Sequence, residues 1–112
     1  MREDGDRETT TYGAIQIDLA TRTVQLHGKP VHLAKKEYQL LCFLVAHPGE
    51  DLTRQMILSE VWNVPPSLKT RTLDIHICSL RKKLSLTENL KTIPGVGYRL
   101  KPTKKKGMNN VV

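Results

Sequence analysis

The segment RTLDIHICSLRKKL, residues 71–84, has the spacing of an amphipathic helix with one exception. At about 100° per residue, four aliphatic side chains share one narrow arc, which predicts that they face a core. They are Leu73, Ile77, Leu80 and Leu84. Ile75 lies on the opposite side of the helix, roughly 160 to 220° from that arc. Its neighbours on that side are Arg71, Cys78, Ser79 and Lys82.

A polar helix face that carries cations and one branched aliphatic side chain is poorly explained by solubility. Such a face suits the major groove of DNA, where cations meet phosphates and base acceptors and an apolar side chain contacts a thymine methyl group. The alternative is that Ile75 packs beneath the NVPPSLK loop, residues 63–69, or is a tolerated apolar residue on the surface. The order of the surrounding secondary-structure elements is stronger evidence for the function of the chain than this single residue is.

The positive charge of the chain is concentrated in its C-terminal part. Residues 1–68 carry seven Lys and Arg against nine Asp and Glu, whereas residues 69–112 carry eleven against two. This asymmetry indicates a polyanionic partner, either nucleic acid or an anionic membrane surface, although a solvated charged face would give the same count. The length of 112 residues predicts one domain, and no apolar run is long enough for a membrane helix or a secretory signal.

The other segments predict short strands, then helices, then a hairpin. Apolar and polar residues alternate around two tight turns in residues 13–34, which predicts an antiparallel meander. Helical periodicity follows over residues 34–47 and again over residues 53–62, where a threonine stands at the N-cap. Two consecutive prolines make residues 63–69 a loop, and ENLKTIPGVGYRLK, residues 88–101, predicts a hairpin.

Three helices followed by a hairpin, with the third helix basic, is the order of a winged helix-turn-helix. The chain resembles the OmpR/PhoB-type effector domain of bacterial two-component response regulators over residues 12–100. The motifs that carry the resemblance are LAKKEYQLLCFLVAHPG, LTRQMILSEVW, RTLDIHICSLRKKL and TIPGVGYRL. It implies an α+β fold with an N-terminal four-stranded antiparallel sheet, three helices and a C-terminal β-hairpin wing. We expect this domain at residues 12–101, between a flexible N-terminal arm or linker (1–11) and a basic flexible tail (102–112).

The resemblance also implies sequence-specific binding of double-stranded promoter DNA by a bacterial transcriptional regulator. The recognition helix, residues 70–84, would lie in the major groove and the wing, residues 92–100, on the adjacent groove. The expected DNA-contacting residues are Trp62, Arg71, Thr72, Ile75, His76, Ser79, Arg81, Lys82, Thr92 and Arg99. Trp62 and His76 have an alternative role in packing between helices.

The chain departs from the family pattern at three places. Cys78 and Ser79 stand where many members have arginine, so a bidentate guanine contact from the middle of the helix is unavailable. Pro94 stands where a wing arginine often enters the minor groove, unless the lysines at positions 104–106 take over that contact. Ala34 precedes Glu37 without a side-chain cap, which leaves half a capping box and forgoes roughly 0.5 to 2 kcal/mol of helix stability.

Several partners follow from the resemblance. It implies a dimer on DNA and contact of the loop at residues 63–69 with RNA polymerase. The receiver domain that usually precedes this module is missing from the sequence, so we expect either an excised effector domain or a stand-alone regulator, located in the cytoplasm. No cofactor or membrane partner is expected.

Cys42 and Cys78 lie far apart and lack CxxC or paired-histidine spacing, which predicts reduced structural thiols and argues against a metal site or a disulfide.

Two other classes of function compete with this interpretation. An enzyme is disfavoured because the sequence offers neither paired carboxylates for a cleft nor a Gly-rich phosphate loop. A small RNA-binding protein would use aromatic side chains to stack on bases, yet the chain has five aromatic residues, most of them at predicted core positions. A winged-helix module used for protein–protein contact or for non-specific nucleic-acid (RNA) binding remains the alternative.

Overall fold

The computed structural model describes residues 8–65 and 70–103. Within them the strands are β1 (Thr9–Tyr12), β2 (Ile15–Asp18), β3 (Thr23–Leu26), β4 (Lys29–Val31), β5 (Leu52–Thr53), β6 (Leu90–Ile93) and β7 (Gly97–Leu100). The helices are α1 (Lys35–Ala46), α2 (Arg54–Ile57, continued by a π-helical turn over Leu58–Trp62) and α3 (Thr72–Lys83). This order confirms the predicted α+β winged helix-turn-helix.

The first four strands form an antiparallel sheet in the order β1-β2-β3-β4. Ile15 and Ile17 point into the core while Gln16 between them is exposed, as the alternating pattern predicts. β1 corrects the sequence analysis, which assigned residues 9–11 to a flexible arm. Its threonine-rich sequence lacks apolar alternation, so its position is set by pairing with β2 and by Tyr12, whose hydroxyl donates to the Lys101 carbonyl oxygen.

α1 begins after Ala34, whose methyl group cannot cap a helix. Half of the capping box is present, as predicted: the Ala34 N–H donates to Glu37 Oε1 at 2.9 Å. On the core side, Leu40, Leu41 and Leu44 are completely buried. α1 therefore depends for its stability on packing, and Glu37 is fixed at its first turn.

α2 is capped by Thr53, as predicted, since its Oγ1 accepts from the Met56 N–H at 3.0 Å. After Ile57 the α-helical hydrogen bonding gives way to a π-helical turn that ends at Asn63 in the left-handed region, with φ of 56°. The sequence predicted an uninterrupted helix to Trp62. A π turn contains one extra residue, so it changes the direction of the side chains that follow it. Trp62 is half-buried and lies against α3.

α3 confirms the arc predicted from its spacing, because Leu73, Ile77 and Leu80 are completely buried. The hairpin of β6 and β7 is joined by β5, giving a three-stranded sheet in the order β5-β7-β6. At the β5–β7 contact, a Cβ on Gly97 would lie 2.1 Å from the Leu52 carbonyl oxygen, so no other residue fits there. One face of α3 is thus fixed on the core next to the wing.

Candidate nucleic-acid interface

α3 and its N-cap present one row of exposed side chains on the side away from the core. The row is Arg71, Ile75, Cys78 and Lys82. Spacings of three and four residues place these side chains along one line of the helix. Ile75 is 63% exposed, more than any other large apolar side chain among the described residues. Ile75 is therefore presented to a partner or to solvent, with a cation at each end of the row.

On the flank of α3 that faces the wing, Arg81 is held by the protein. Its Nε and Nη2 donate to the Leu90 carbonyl oxygen at 2.9 and 2.7 Å, and Nη2 also donates to Thr92 Oγ1 at 3.0 Å. The guanidinium carbon lies 5.8 Å from the centre of the Tyr98 ring. Arg81 therefore ties the C-terminal half of α3 to β6 and β7.

Asp74 joins α3 to α2 and to the wing. Its Oδ1 accepts from Arg54 Nη1 and from the Tyr98 hydroxyl, each at 2.5 Å. Arg54 Nη2 also donates to the Thr70 carbonyl oxygen at 3.0 Å, which fixes the chain just before α3. Burial alone would raise the pKa of Asp74, but the hydrogen bonds from Tyr98 and Arg54 and the positive charge of Arg54 lower that pKa overall. Burial and the bond to Asp74 raise the pKa of Tyr98 to about 12.

Glu37 holds the opposite flank of α3 from the first turn of α1. It is 6% exposed, and its Oε1 accepts from the Lys83 ammonium at 2.7 Å while Oε2 accepts from the Ser79 hydroxyl. Burial alone would raise the pKa of Glu37, but the hydrogen bonds from Lys83, Ser79 and Ala34 outweigh burial and lower the pKa to about 2. The carboxylate is thus ionised at neutral pH and binds two side chains of α3.

His76 and Trp62 meet at the N-terminal end of the same flank. Their ring centres are 5.0 Å apart, with the rings nearly perpendicular at 83°. His76 Nδ1 lies 2.9 Å from the Thr72 carbonyl oxygen. A carbonyl oxygen only accepts hydrogen bonds, so Nδ1 carries the proton and Nε2 is the ring nitrogen that remains for another partner. The Thr72 hydroxyl shares a hydrogen bond with the Thr70 hydroxyl at 2.8 Å.

The two faces of the wing carry different side chains. Thr92 pairs across the hairpin with Tyr98, and Lys91 pairs with Arg99, so Arg99 lies on the face opposite to Thr92. Arg99 Nη1 donates to Asp51 Oδ1 at 3.0 Å. An open groove of about 300 Å³ separates the hairpin turn from the Arg54–Asp74 pair.

The predicted contact residues fall into three groups in the structure. An exposed row on α3 holds Arg71, Ile75 and Lys82, with Cys78 as a fourth member that the predicted set did not include. Half-buried residues beside this row include Trp62, Thr72 and His76. The third group is bonded within the protein or lies on the wing: Ser79 is bonded to Glu37, Arg81 is bonded to the wing, exposed Thr92 accepts one of the Arg81 bonds, and Arg99 lies on the far face of the hairpin.

Sequence reasoning missed Arg54 and Asp74 as residues that position this interface. Asp74 bonds to side chains 20 and 24 residues away, which no local pattern reveals. Glu37 did give a signal, since it was identified as half of a capping box. Its bonds to Ser79 and Lys83, 42 and 46 residues away, could not be read from that motif.

Comparison with known proteins identifies the family. Residues 28–100 match the family model described as "Transcriptional regulatory protein, C terminal". The chain belongs to this OmpR/PhoB-type family. The family consists of DNA-binding domains of transcription factors and not of enzymes.

Relatives of this OmpR/PhoB-type domain are longer proteins. The transcriptional regulatory protein VxrB of Vibrio cholerae is 40% identical over 87 residues, which are 78% of this chain and 35% of VxrB. The phosphate regulon transcriptional regulatory protein PhoB of Pseudomonas aeruginosa is 38% identical over 98 residues, covering 85% of this chain and 43% of PhoB. The chain therefore spans less than half the length of these relatives.

A solved structure of a DNA complex is also similar. The DNA-binding domain of Klebsiella pneumoniae RstA, crystallised in complex with the RstA box, matches with a TM-score of 0.78 and 32% identity. The match covers 86% of this chain and 99% of that one.

In the described part of this OmpR/PhoB-type domain, no helix is long and apolar enough to span a bilayer, and no three His, Cys, Asp or Glu side chains cluster as a metal site would require.

Proposed function

We propose that this domain binds double-stranded DNA sequence-specifically within a bacterial transcriptional regulator, with α3 in the major groove and the wing on the adjacent groove. The observation that carries the proposal is the exposed row of α3, where Ile75 stands between Arg71 and Lys82. An α-helix fits the major groove, where cations meet phosphates and an aliphatic side chain contacts thymine. The complex of RstA with its DNA box supports the proposal, because that domain has the same fold.

The role proposed for each residue follows from its exposure and from its contacts within the protein. Arg71, Lys82 and Thr92 are exposed and would contact phosphates, while Ile75 would contact a base. Trp62, Thr72 and His76 would meet the backbone beside the N-terminal end of α3. Arg99 would reach a phosphate of the adjacent groove from the outer face of the wing, in exchange for its bond to Asp51.

Ser79 and Arg81 have a different proposed role from the other members of the predicted set. The Ser79 hydroxyl donates to buried Glu37, and the Arg81 guanidinium makes three hydrogen bonds to β6. Taking either group to DNA would require these bonds to break and would leave Glu37 or the Leu90 carbonyl oxygen with fewer partners. We therefore assign to both the positioning of α3 and the wing.

The proposal extends to the partners of the longer protein. Two copies would pair on promoter DNA in the cytoplasm, because a single module of this size gains specificity by pairing. The loop at residues 63–69 would contact RNA polymerase; its residues 66–69 lie outside the described part of the chain, as do Lys104, Lys105 and Lys106. The domain, predicted at residues 12–101, would begin at residue 9 with β1 as the first strand of its sheet, and a basic tail would follow it.

The salt dependence of binding tests the proposal. Each phosphate neutralised on B-DNA lowers the logarithm of affinity by about 0.9 per tenfold rise in salt, so three contacts from Arg71, Lys82 and Arg99 give a slope of about −2.7 per domain. Arg71→Gln should reduce the steepness of this slope by about 0.9, whereas Lys29→Gln on β4 serves as the matched control and should leave it unchanged. Tighter binding to single-stranded RNA than to duplex DNA, or a slope that Arg71→Gln does not alter, would refute the proposal.

A further inference from the structure

The polar side chains in the middle of α3 are directed toward protein partners. The Ser79 hydroxyl and the Lys83 ammonium are bonded to Glu37, and the Arg81 guanidinium is bonded to Leu90 and Thr92. His76 Nδ1 is bonded to the helix itself, at the Thr72 carbonyl oxygen. These polar side chains are therefore engaged within the protein and do not present hydrogen-bonding groups at the centre of the row.

Between its two cations, the row consists of Ile75 and Cys78. Both are exposed, Ile75 to 63%. A free cysteine behaves as a small apolar side chain with a weak S–H donor, so it extends the apolar surface of Ile75. The two residues are three positions apart and lie on the same side of the helix.

The spacing of these two side chains along the helix is between one and two base-pair steps of DNA. Three residues advance an α-helix by about 4.5 Å, and successive base pairs are about 3.4 Å apart. With α3 in the major groove, Ile75 and Cys78 would therefore meet neighbouring base pairs. Thymine is the base that presents an apolar group there, its 5-methyl.

We propose that Cys78 is a specificity-determining residue that forms, with Ile75, an apolar pair reading the methyl groups of thymines at adjacent base pairs. The inference rests on the proposed function and names the class of its target: duplex sites with adjacent A·T pairs under the centre of α3. Guanine is not selected at these positions, because no arginine or lysine reaches its acceptors from the middle of the helix. Arg71 and Lys82 contact the phosphates on either side.

Replacing thymine by deoxyuridine tests this pair directly. The change removes one methyl group and leaves base pairing intact. A duplex selected from a random pool is resynthesised with deoxyuridine at one thymine at a time, and binding is measured for the whole chain. The wild-type chain should lose affinity roughly fourfold at each of two adjacent base pairs, the value expected for one buried methyl group.

Variants assign each methyl group to its residue. Cys78→Ser should lose affinity on deoxyuridine substitution only at the position that Ile75 contacts. Ile75→Ser should lose affinity only at the position that Cys78 contacts. Cys42→Ser replaces the half-buried thiol of α1 and should retain both responses. If Cys78→Ser responds like the wild type at both positions, Cys78 does not read DNA, although the proposed function stands. If no duplex motif is enriched at all, the proposed function fails and this inference with it.

Protection of the thiol provides a second readout that does not depend on affinity. In the Cys42→Ser chain, Cys78 is the remaining cysteine, and the rate of its alkylation by iodoacetamide can be followed by mass spectrometry. Saturation with the selected duplex should slow alkylation strongly, because the thiol would lie against the bases. An unchanged rate on the bound duplex would overturn the inference.

Discussion

Replacement of Glu37 by glutamine should destabilise the fold in a way that depends on pH. Folding lowers the pKa of Glu37 from 4.5 to about 2, against the effect of burial. At about 1.36 kcal/mol for each pKa unit, this corresponds to roughly 3 kcal/mol of stability from the ionised carboxylate. Glutamine resembles the protonated side chain in shape and hydrogen-bonding groups. Glu37→Gln should therefore lose roughly 3 kcal/mol at pH 7.

The sign of the pH dependence follows from the direction of the pKa change. Because folding lowers this pKa, the stabilisation by Glu37 is complete above pH 4.5 and disappears as the pH falls toward 2. The difference between wild type and Glu37→Gln should therefore shrink from roughly 3 kcal/mol at pH 7 to roughly 1 kcal/mol at pH 3.

Urea unfolding followed by the fluorescence of Trp62 measures this difference at each pH. Glu60→Gln, at an exposed position of the π-helical turn, is the matched control and should change stability by less than about 0.5 kcal/mol. A Glu37→Gln variant within about 0.5 kcal/mol of wild type at pH 7 would refute the reasoning. So would a loss of the same size at every pH, since that would mean that the charge of Glu37 does not matter.

Three further changes test other contacts. Tyr98→Phe removes the hydrogen bond to Asp74 and should lower the free energy of unfolding by about 1 kcal/mol, measured in urea, with Tyr38→Phe as a control distant from Asp74. Gly97→Ala should lower it by more than about 3 kcal/mol or prevent folding, because its Cβ would meet the Leu52 carbonyl oxygen; circular dichroism of the purified variant would show native stability if this were wrong. Substituting Pro65, Pro66 and Leu68 together should reduce promoter activation in a transcription assay without changing DNA affinity, and a loss of DNA affinity would count against a polymerase contact.

The sequence predicted those parts of the fold that depend on periodicity. The arc of Leu73, Ile77 and Leu80 faces the core, and Ile75 is exposed opposite to it, because a helix repeats every 3.6 residues whatever surrounds it. Thr53 caps α2 for an equally local reason, since its hydroxyl bonds to a backbone N–H three residues on. Local geometry is sufficient for such features.

Other features depend on partners that are distant in the chain and could not be predicted. β1 lacks an apolar pattern and is held by its pairing with β2, so it was assigned to an arm. Ser79 belongs to the polar side of α3 by its position, yet Glu37 holds its hydroxyl away from that side. Arg81, which was expected near DNA, is bonded to the wing, and this bond depends on the position of the wing next to α3, which is a tertiary property.

The most direct test of the central claim, that the exposed row of α3 reads duplex DNA, is selection from a random-sequence duplex pool beside single-stranded RNA. The selection uses the wild-type chain and Ile75→Ser. We expect an enriched duplex motif in the wild type and relaxed preference at one thymine-bearing position in the variant. Salt-sensitive binding to every nucleic acid with no enriched motif, identical in wild type and Ile75→Ser, would contradict the claim.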